Sequence, residues 1–160
     1  MVYETSKKID KVILSAKDVD FHPERLYKLI KETADDYDYT YREKKHELKP
    51  DKYGDRFLVH ITLVKEYDDY AEMEFNIELV CSSLHKVAEK QRGNISLIIS
   101  NTLTYDRENT KELFFFVKFF RTLYFKYGGE ERIEERYIKP ARLFLKVLKN
   151  RLKEEGGFYV

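Results

Sequence analysis

The chain has 160 residues, of which 42% are apolar and 37% are charged, and its formal net charge is +1. This length and apolar share fit one folded domain over residues 1–160, and 13 tyrosines with 11 phenylalanines argue against a disordered chain. A net charge so close to zero argues neither for nor against a nucleic-acid partner.

Segment hydropathy and cysteine content further limit the class of protein to which the chain can belong. No run of 18 apolar residues is present and residues 1–11 contain no apolar stretch, so we expect neither a membrane span nor a signal peptide, and a cytoplasmic location. Cys81 is the single cysteine, which excludes an internal disulfide and favours a small buried side chain. Glutamine, cysteine and methionine are scarce beside abundant charges, a composition typical of proteins from very hot environments.

The first elements are a strand and a helix. Apolar and polar residues alternate over residues 9–18, which predicts a strand. Pro23 suits the first position of a helix, and apolar residues from Leu26 to Ala34 give that helix one buried face. The pattern ends at Asp35-Asp36.

Period-two alternation then predicts a series of strands. Tyr37, Tyr39 and Tyr41 alternate with polar residues, and residues 57–64, 72–79 and 95–105 repeat the pattern more strongly. Residues 82–91 fit either a helical turn or a strand that enters a hairpin at Gly93-Asn94. We favour the strand, because a clear strand follows.

The last third predicts two long helices. The first spans residues 110–127 and ends at Gly128-Gly129, and the second spans residues 130–154 with a kink or break at Pro140. The buried face of the second helix is predicted to consist of Ile133, Tyr137, Ala141, Phe144, Leu148 and Leu152.

This order of elements predicts an α+β fold in which a curved antiparallel sheet grips long C-terminal helices. A resemblance to a known superfamily rests on four features of this order. They are the strand at 12–17, the helix at 22–34 directly after it, the hairpins through Tyr105-Asp106 and the closing helix. In these features the chain resembles the helix-grip superfamily, the START-related lipid-transfer and birch-pollen-allergen-like proteins. The resemblance covers most of the chain and is one of topology, although two helical segments follow the sheet where the superfamily usually has one.

The resemblance implies a cavity between sheet and helix that holds an apolar or aromatic small molecule or a lipid. Many members are binding or carrier proteins, so we favour a binding protein over an enzyme, with no cofactor. The superfamily has no signature motif, so no functional residue is carried over from it. From the residues themselves we select six candidates for ligand contact: Tyr39, Tyr41, His60, Phe75, Asn101 and Phe116.

Each candidate also has a structural interpretation. The tyrosines suit a ligand platform or cross-strand packing, and His60 suits a cavity or an ordinary structural role. Asn101 interrupts an apolar strand face and needs a hydrogen-bond partner, which is backbone, water or a ligand. Phe116 belongs to the aromatic stretch 113–127, which is core, pocket wall or a membrane-interface helix.

Two surfaces offer alternative functions. The last helix is basic, which predicts either a solvated face or contacts with an anionic membrane surface, with nucleic acid less favoured. Its basic residues are Lys139, Arg142, Lys146, Lys149, Arg151 and Lys153. Glu72, Glu74 and Glu78 repeat along one strand, as in the metal-dependent triphosphate-tunnel enzymes, but Asn76 occupies the lysine position of their Glu-x-Glu-x-Lys pattern. The four histidines show no ligand spacing, so we expect no metal site.

Overall fold

The computed structural model describes residues 5–67, 71–105 and 133–156. Within these ranges the fold is α+β, with one five-stranded antiparallel sheet and two α-helices. The strands are β1 (Thr5–Phe21), β2 (Thr40–Asp51), β3 (Gly54–Glu66), β4 (Ala71–Val87) and β5 (Lys90–Tyr105). The helices are α1 (Pro23–Asp36) and α2 (Lys139–Gly156), and a π-helical turn (Glu134–Ile138) precedes α2.

The strand order across the sheet is β1-β5-β4-β3-β2, and every neighbouring pair is antiparallel. Strands β2 to β5 form a meander, while β1 lies beside β5 at the opposite edge from β2. Helix α1 therefore connects the two edges of the sheet. The predicted α+β class and antiparallel sheet are confirmed.

One face of the sheet forms the core. Along β4 the side chains of Met73, Phe75, Ile77 and Leu79 are buried, and the residues between them are less buried. Helices α1 and α2 contribute their apolar faces to the same cluster. The period-two pattern of the strands and the 3.6-residue pattern of the helices thus meet in one apolar layer, as the hydrophobic effect requires.

The predicted strand through three tyrosines is wrong at its start, because β2 begins only at Thr40. The amide of Tyr39 donates to the carbonyl of Ala34 at 2.8 Å and so belongs to the end of α1. Asp38 adopts a left-handed conformation, φ 62°, which an aspartate tolerates better than most residues. The tyrosines before Thr40 therefore lie in a turn rather than in a strand.

The strand prediction for residues 82–91 is confirmed, but its hairpin lies at Ala88-Glu89 instead of Gly93-Asn94. Gly93 instead allows a close approach of two backbone segments, as Gly54 does. Both lie against Ser83 and its neighbours, where β4 bulges and Ser83 has a φ of 54°. A Cβ atom on Gly54 would come within 2.8 Å of the Leu84 carbonyl oxygen, and one on Gly93 within 2.7 Å of the Ser82 carbonyl oxygen.

Bulges recur along the sheet. The pairing also shifts between Lys8 and Lys11 and between Ala16 and Val19 in β1, and between Glu43 and Lys45 in β2. Each extra residue bends its strand and increases the local twist, which is consistent with a curved sheet.

The predicted break at Pro140 takes the form of a π-helical turn. The amide of Lys139 donates to the carbonyl of Glu134, and Pro140 has no amide hydrogen with which to continue the ladder. The α-helix after this turn has 18 residues, so the predicted helix is interrupted just before Pro140. The other predicted long helix, at 110–127, lies outside the described residues.

Candidate functional site

Four side chains form a row across strands β2 to β5, on the face that the helices cover. Tyr41 pairs with Leu63, Leu63 with Phe75, and Phe75 with Asn101. Directly opposed residues of antiparallel strands point to the same side, so these four side chains, here called the central row, are neighbours. Three of the six candidate residues are thereby brought together, although they come from three different strands.

An aromatic cluster covers the middle of the central row. The Phe144 ring of α2 stacks on the Tyr39 ring with centroids 4.3 Å apart, and it meets the Phe75 ring edge-on at 5.0 Å. Tyr39 itself meets Phe75 at 5.5 Å. The space directly above Phe75 is therefore filled by protein.

The hydroxyl of Tyr39 faces a second aromatic group. It lies 3.3 Å from the Tyr67 hydroxyl, and the Lys65 ammonium sits 5.5 Å from the Tyr39 ring and 5.4 Å from the Tyr67 ring. The same ammonium donates to the carbonyl of Tyr37 at 2.9 Å. Burial, followed by the Tyr67 hydroxyl, raises the pKa of Tyr39 far above its ordinary value. At neutral pH this phenol stays protonated and acts as a hydrogen-bonding group.

Tyr41 marks the α1 end of the central row. Its ring meets Tyr27 of α1 edge-on at 6.0 Å, with the Lys31 ammonium 5.8 Å from its centroid. The Tyr41 hydroxyl is buried and lacks a hydrogen bond of normal geometry. Burial, with a smaller contribution from the Tyr27 hydroxyl, raises the pKa of Tyr41.

Asn101 ends the row at the β1 side and is only 1% exposed. Its Oδ1 accepts a hydrogen bond of 2.7 Å from the amide of Asp10, which lies in the bulge between Lys8 and Lys11. That bond fixes the orientation of the side-chain amide, because only the oxygen can accept. The Nδ2 group is buried and has no hydrogen-bond partner. An unpaired buried donor costs about 1–3 kcal/mol, and the row has one at each end, Tyr41 and Asn101.

A pocket of about 270 Å³ lies at the β1–β5 edge of the sheet near Asn101, and its Lys8–Thr102 and Lys11–Ser100 pairs belong to the sheet face opposite the central row. It is lined by Lys8, Ile9, Asp10, Lys11, Ser100, Asn101 and Thr102. The Asp10 carboxylate is held by the Arg142 guanidinium of α2 at 3.3 Å. Sequence patterning identified Asn101 as a polar interruption of an apolar face, but the pocket depends on a β-bulge for which the sequence gives no signal.

The remaining two candidates lie elsewhere. His60 pairs with Glu78 and Lys45, on the face of the sheet opposite the central row. Phe116 falls outside the described residues. The structure therefore brings Tyr39, Tyr41, Phe75 and Asn101 together and separates His60 from them.

One polar cluster was missed by the sequence reasoning. The Glu43 carboxylate accepts from the Tyr27 hydroxyl at 2.9 Å and contacts His46 Nδ1 at 2.7 Å. In a regular strand, residues three apart point to opposite faces. The bulge between Glu43 and Lys45 places Glu43 and His46 on the same side, where they join β2 to α1.

The basic face of the last helix is partly neutralised by carboxylates. Arg142 contacts Glu134 at 2.9 Å besides Asp10, and Lys139 contacts Glu135. Arg151 donates to Asp36 at 2.9 Å and to the Thr33 hydroxyl at 3.1 Å. Three of the six basic residues therefore form ion pairs with other described residues.

The acidic strand shows no metal-binding geometry in the described ranges. Glu74 accepts from the Asn76 amide at 2.9 Å, and Glu78 is exposed. Among the described residues, no group of three His, Cys, Asp or Glu side chains is placed to hold a metal ion. Within the same ranges, no helix is both long and apolar enough to cross a bilayer.

Neither a protein-family model nor a curated protein matches the chain. The geometry of the described residues therefore carries the functional argument.

Proposed function

We propose that this protein binds an apolar or aromatic small molecule or a lipid between the sheet and the C-terminal helix, beside Asn101. The unpaired Nδ2 of Asn101 carries the proposal. Ligand pockets are mostly apolar with a few polar groups that orient the ligand, and the central row with Asn101 at its end has this composition. An acceptor atom of a ligand would satisfy this buried donor.

The order of elements adds support. The resemblance to START-like, helix-grip proteins rests on three features. These are a first strand and helix, four meandering strands, and a closing helix that packs on the sheet face. That resemblance concerns the fold and is a weak warrant for function by itself. It agrees with the position of the central row, on the sheet face that the closing helix covers.

The alternative functions, binding of an anionic membrane or nucleic acid and phosphohydrolase activity, have less support. An anionic membrane or nucleic acid would compete with carboxylates for Arg142 and Arg151 of α2. A phosphohydrolase would need clustered carboxylates, whereas Glu74 is engaged by Asn76. Catalysis by the tyrosines is disfavoured, because the raised pKa values of Tyr39 and Tyr41 keep both phenols protonated at neutral pH. Binding without catalysis is the function we propose.

The test is a titration of the full-length protein with the neutral fluorescent probe N-phenyl-1-naphthylamine, together with native mass spectrometry of the purified protein. We expect saturable binding of one probe per chain and a rise in melting temperature, because a ligand that binds the folded state stabilises it. Asn101→Phe should weaken probe binding, because it removes the buried donor and adds volume between the sheet and α2. Ser96→Phe, on the opposite face of β5, is the matched control and should bind normally. If the wild-type protein shows neither probe binding nor a co-purified small molecule, the proposal is wrong.

A further inference from the structure

We propose that the hairpin of β2 and β3 carries a binding site for a phosphate monoester, in which Lys45, Lys49 and Arg56 hold the phosphate oxygens. The site is a second pocket, of about 200 Å³, lined by Lys45, Glu47, Lys49, Arg56 and Leu58. It lies on the face of the sheet opposite the central row, here called the outer face, so the inference goes beyond the proposed apolar ligand and does not depend on it.

The lining residues share the outer face because of the bulge in β2. Before the bulge, Glu43 pairs with Ile61, a residue of the core. The shift between Glu43 and Lys45 reverses the alternation, so the odd-numbered side chains from Lys45 onward point away from the core. The outward pairs that follow the bulge are Lys45 with His60, Glu47 with Leu58, and Lys49 with Arg56. Directly opposed side chains are neighbours, so the pocket is built from adjacent rows of one face.

The lining has a net charge of +2, from the three cations Lys45, Lys49 and Arg56 against the one carboxylate of Glu47. Glu47 contacts both lysines, with Oε1 3.5 Å from Lys45 Nζ and Oε2 3.1 Å from Lys49 Nζ. The Lys49 ammonium holds the pKa of Glu47 below its ordinary value, so the carboxylate stays ionised at neutral pH. Each ammonium keeps further N–H donors beyond the one that faces Glu47, and these donors remain for a ligand.

Arg56 contributes a cation that the described chain does not neutralise. Its side chain is exposed, and its guanidinium makes no ion pair with any residue in the described ranges. The planar guanidinium matches the geometry of phosphate and binds it through paired hydrogen bonds, whereas a lysine acts as a point charge. Arg56 of β3 and the lysines of β2 therefore approach a phosphate in the pocket from two strands.

Charge and volume together indicate a phosphate monoester. A monoester carries a charge of about −1.5 to −2 at pH 7, which balances the lining. A carboxylate carries less charge, and so does each phosphodiester of a nucleic-acid backbone. Pockets for whole drug-sized ligands measure roughly 300–1000 Å³, and this one measures about 200 Å³. The phosphate thus enters the pocket while the rest of the molecule stays outside, as a small phosphorylated molecule or a phosphatidic acid headgroup allows.

The experiment records ¹H–¹⁵N correlation spectra of the full-length protein during titration with glycerol 3-phosphate, with glycerol as the uncharged comparison. We expect saturable shifts of the amides of residues 45–49 and 56–58 with glycerol 3-phosphate and none with glycerol. Arg56→Gln should weaken binding about tenfold or more, because hydrogen bonds to charged groups are strong. The double variant Lys45→Gln/Lys49→Gln should weaken it as well.

Arg42→Gln is the matched control for Arg56→Gln. Arg42 pairs with Thr62 on the outer face, is exposed, and does not line the pocket. Both substitutions remove one positive charge from the same face of the same hairpin. A general effect of net charge would therefore be equal in the two variants, whereas a site at the pocket responds to Arg56 alone.

A second arm distinguishes the sources of the phosphate by cosedimentation with vesicles of phosphatidylcholine that contain phosphatidic acid or phosphatidylglycerol, matched in total lipid charge. A preference for phosphatidic acid that Arg56→Gln removes identifies a lipid headgroup. Binding of glycerol 3-phosphate without this preference identifies a soluble phosphorylated molecule.

Either result supports the site, provided that Arg42→Gln behaves as the wild type. The inference is overturned if neither glycerol 3-phosphate nor phosphatidic acid is preferred over its comparison. Equal effects of Arg42→Gln and Arg56→Gln would overturn it too. Both of these outcomes leave the proposed apolar ligand unaffected, because that ligand lies on the other face of the sheet.

Discussion

Phe144 stacks on Tyr39 with ring centroids 4.3 Å apart and planes inclined by 25°. The two residues belong to α2 and to the turn after α1, which are distant in the sequence. Their contact, with Phe75 below both rings, attaches the C-terminal helix to the sheet. It also fills the space above Phe75 with protein.

The first prediction concerns this contact. Phe144→Ala should lower the free energy of unfolding by about 3–5 kcal/mol, because a large buried ring is replaced by a cavity. Leu143→Ala, at a neighbouring residue that is 57% exposed, is the matched control and should change stability by no more than about 0.5 kcal/mol. Urea unfolding measures both values. Equal losses in the two variants would contradict the packing of α2 on the sheet.

A second prediction tests the β4 bulge. Gly54→Ala should destabilise the fold by about 1–3 kcal/mol or more, since Gly54 has a φ of 128° and its added Cβ would collide with the backbone at Ser83 and Leu84. Tyr53→Ala removes a side chain that is 76% exposed in the same turn and serves as the control. Thermal unfolding followed by circular dichroism compares them. A Gly54→Ala protein as stable as the control would show that the bulge can relax at little cost.

The third prediction concerns the ion pair between α1 and α2. A double-mutant cycle of Arg151→Ala and Asp36→Ala should give a coupling energy of about 0.2–1 kcal/mol that decreases with salt, as for other solvent-exposed pairs. Both side chains are partly exposed, at 38% and 56%. Asp35→Ala, at the exposed neighbouring position of α1, should show no coupling with Arg151→Ala. A coupling that salt does not change would indicate that the pair is shielded from solvent.

The fourth prediction is a loss of stability at alkaline pH. Burial raises the pKa of the Cys81 thiol from 9.0 to about 12, so the folded protein keeps a proton that the unfolded chain releases. The stabilising contribution is complete below about pH 9 and is lost as the pH rises towards 12. Burial raises the pKa of Tyr39 as well, which extends the effect to higher pH. Cys81→Ala should therefore lose less stability than the wild type between neutral pH and about pH 11, measured by urea unfolding. Identical pH profiles would refute this assignment.

Local patterns predicted much of the fold. Alternation over residues 57–64, 72–79 and 95–105 identified three strands, because a half-buried strand must show one apolar face. Pro23 and the apolar spacing after it identified α1 to within two residues at its end. The same patterns failed at Tyr37 and Tyr39, where the left-handed turn at Asp38 competes with strand pairing.

The candidate site was only partly predictable. Asn101 was recognised because a polar residue on an apolar strand face requires a hydrogen-bond partner. The identity of that partner, Asp10, depends on a bulge in another strand. His60 was kept as a candidate because a histidine can line a cavity, although it lies out of phase with the apolar face of its strand.

The sequence alone determined the types of element, their order and the residues that must be buried, since periodicity is a property of neighbouring residues. The tertiary structure decided the strand register, the bulges and the contact of Phe144 with Tyr39. It also decided that the Asn101 amide keeps one donor unpaired. These features arise from pairings between distant segments, whose free energies depend on packing and backbone geometry that no local pattern encodes.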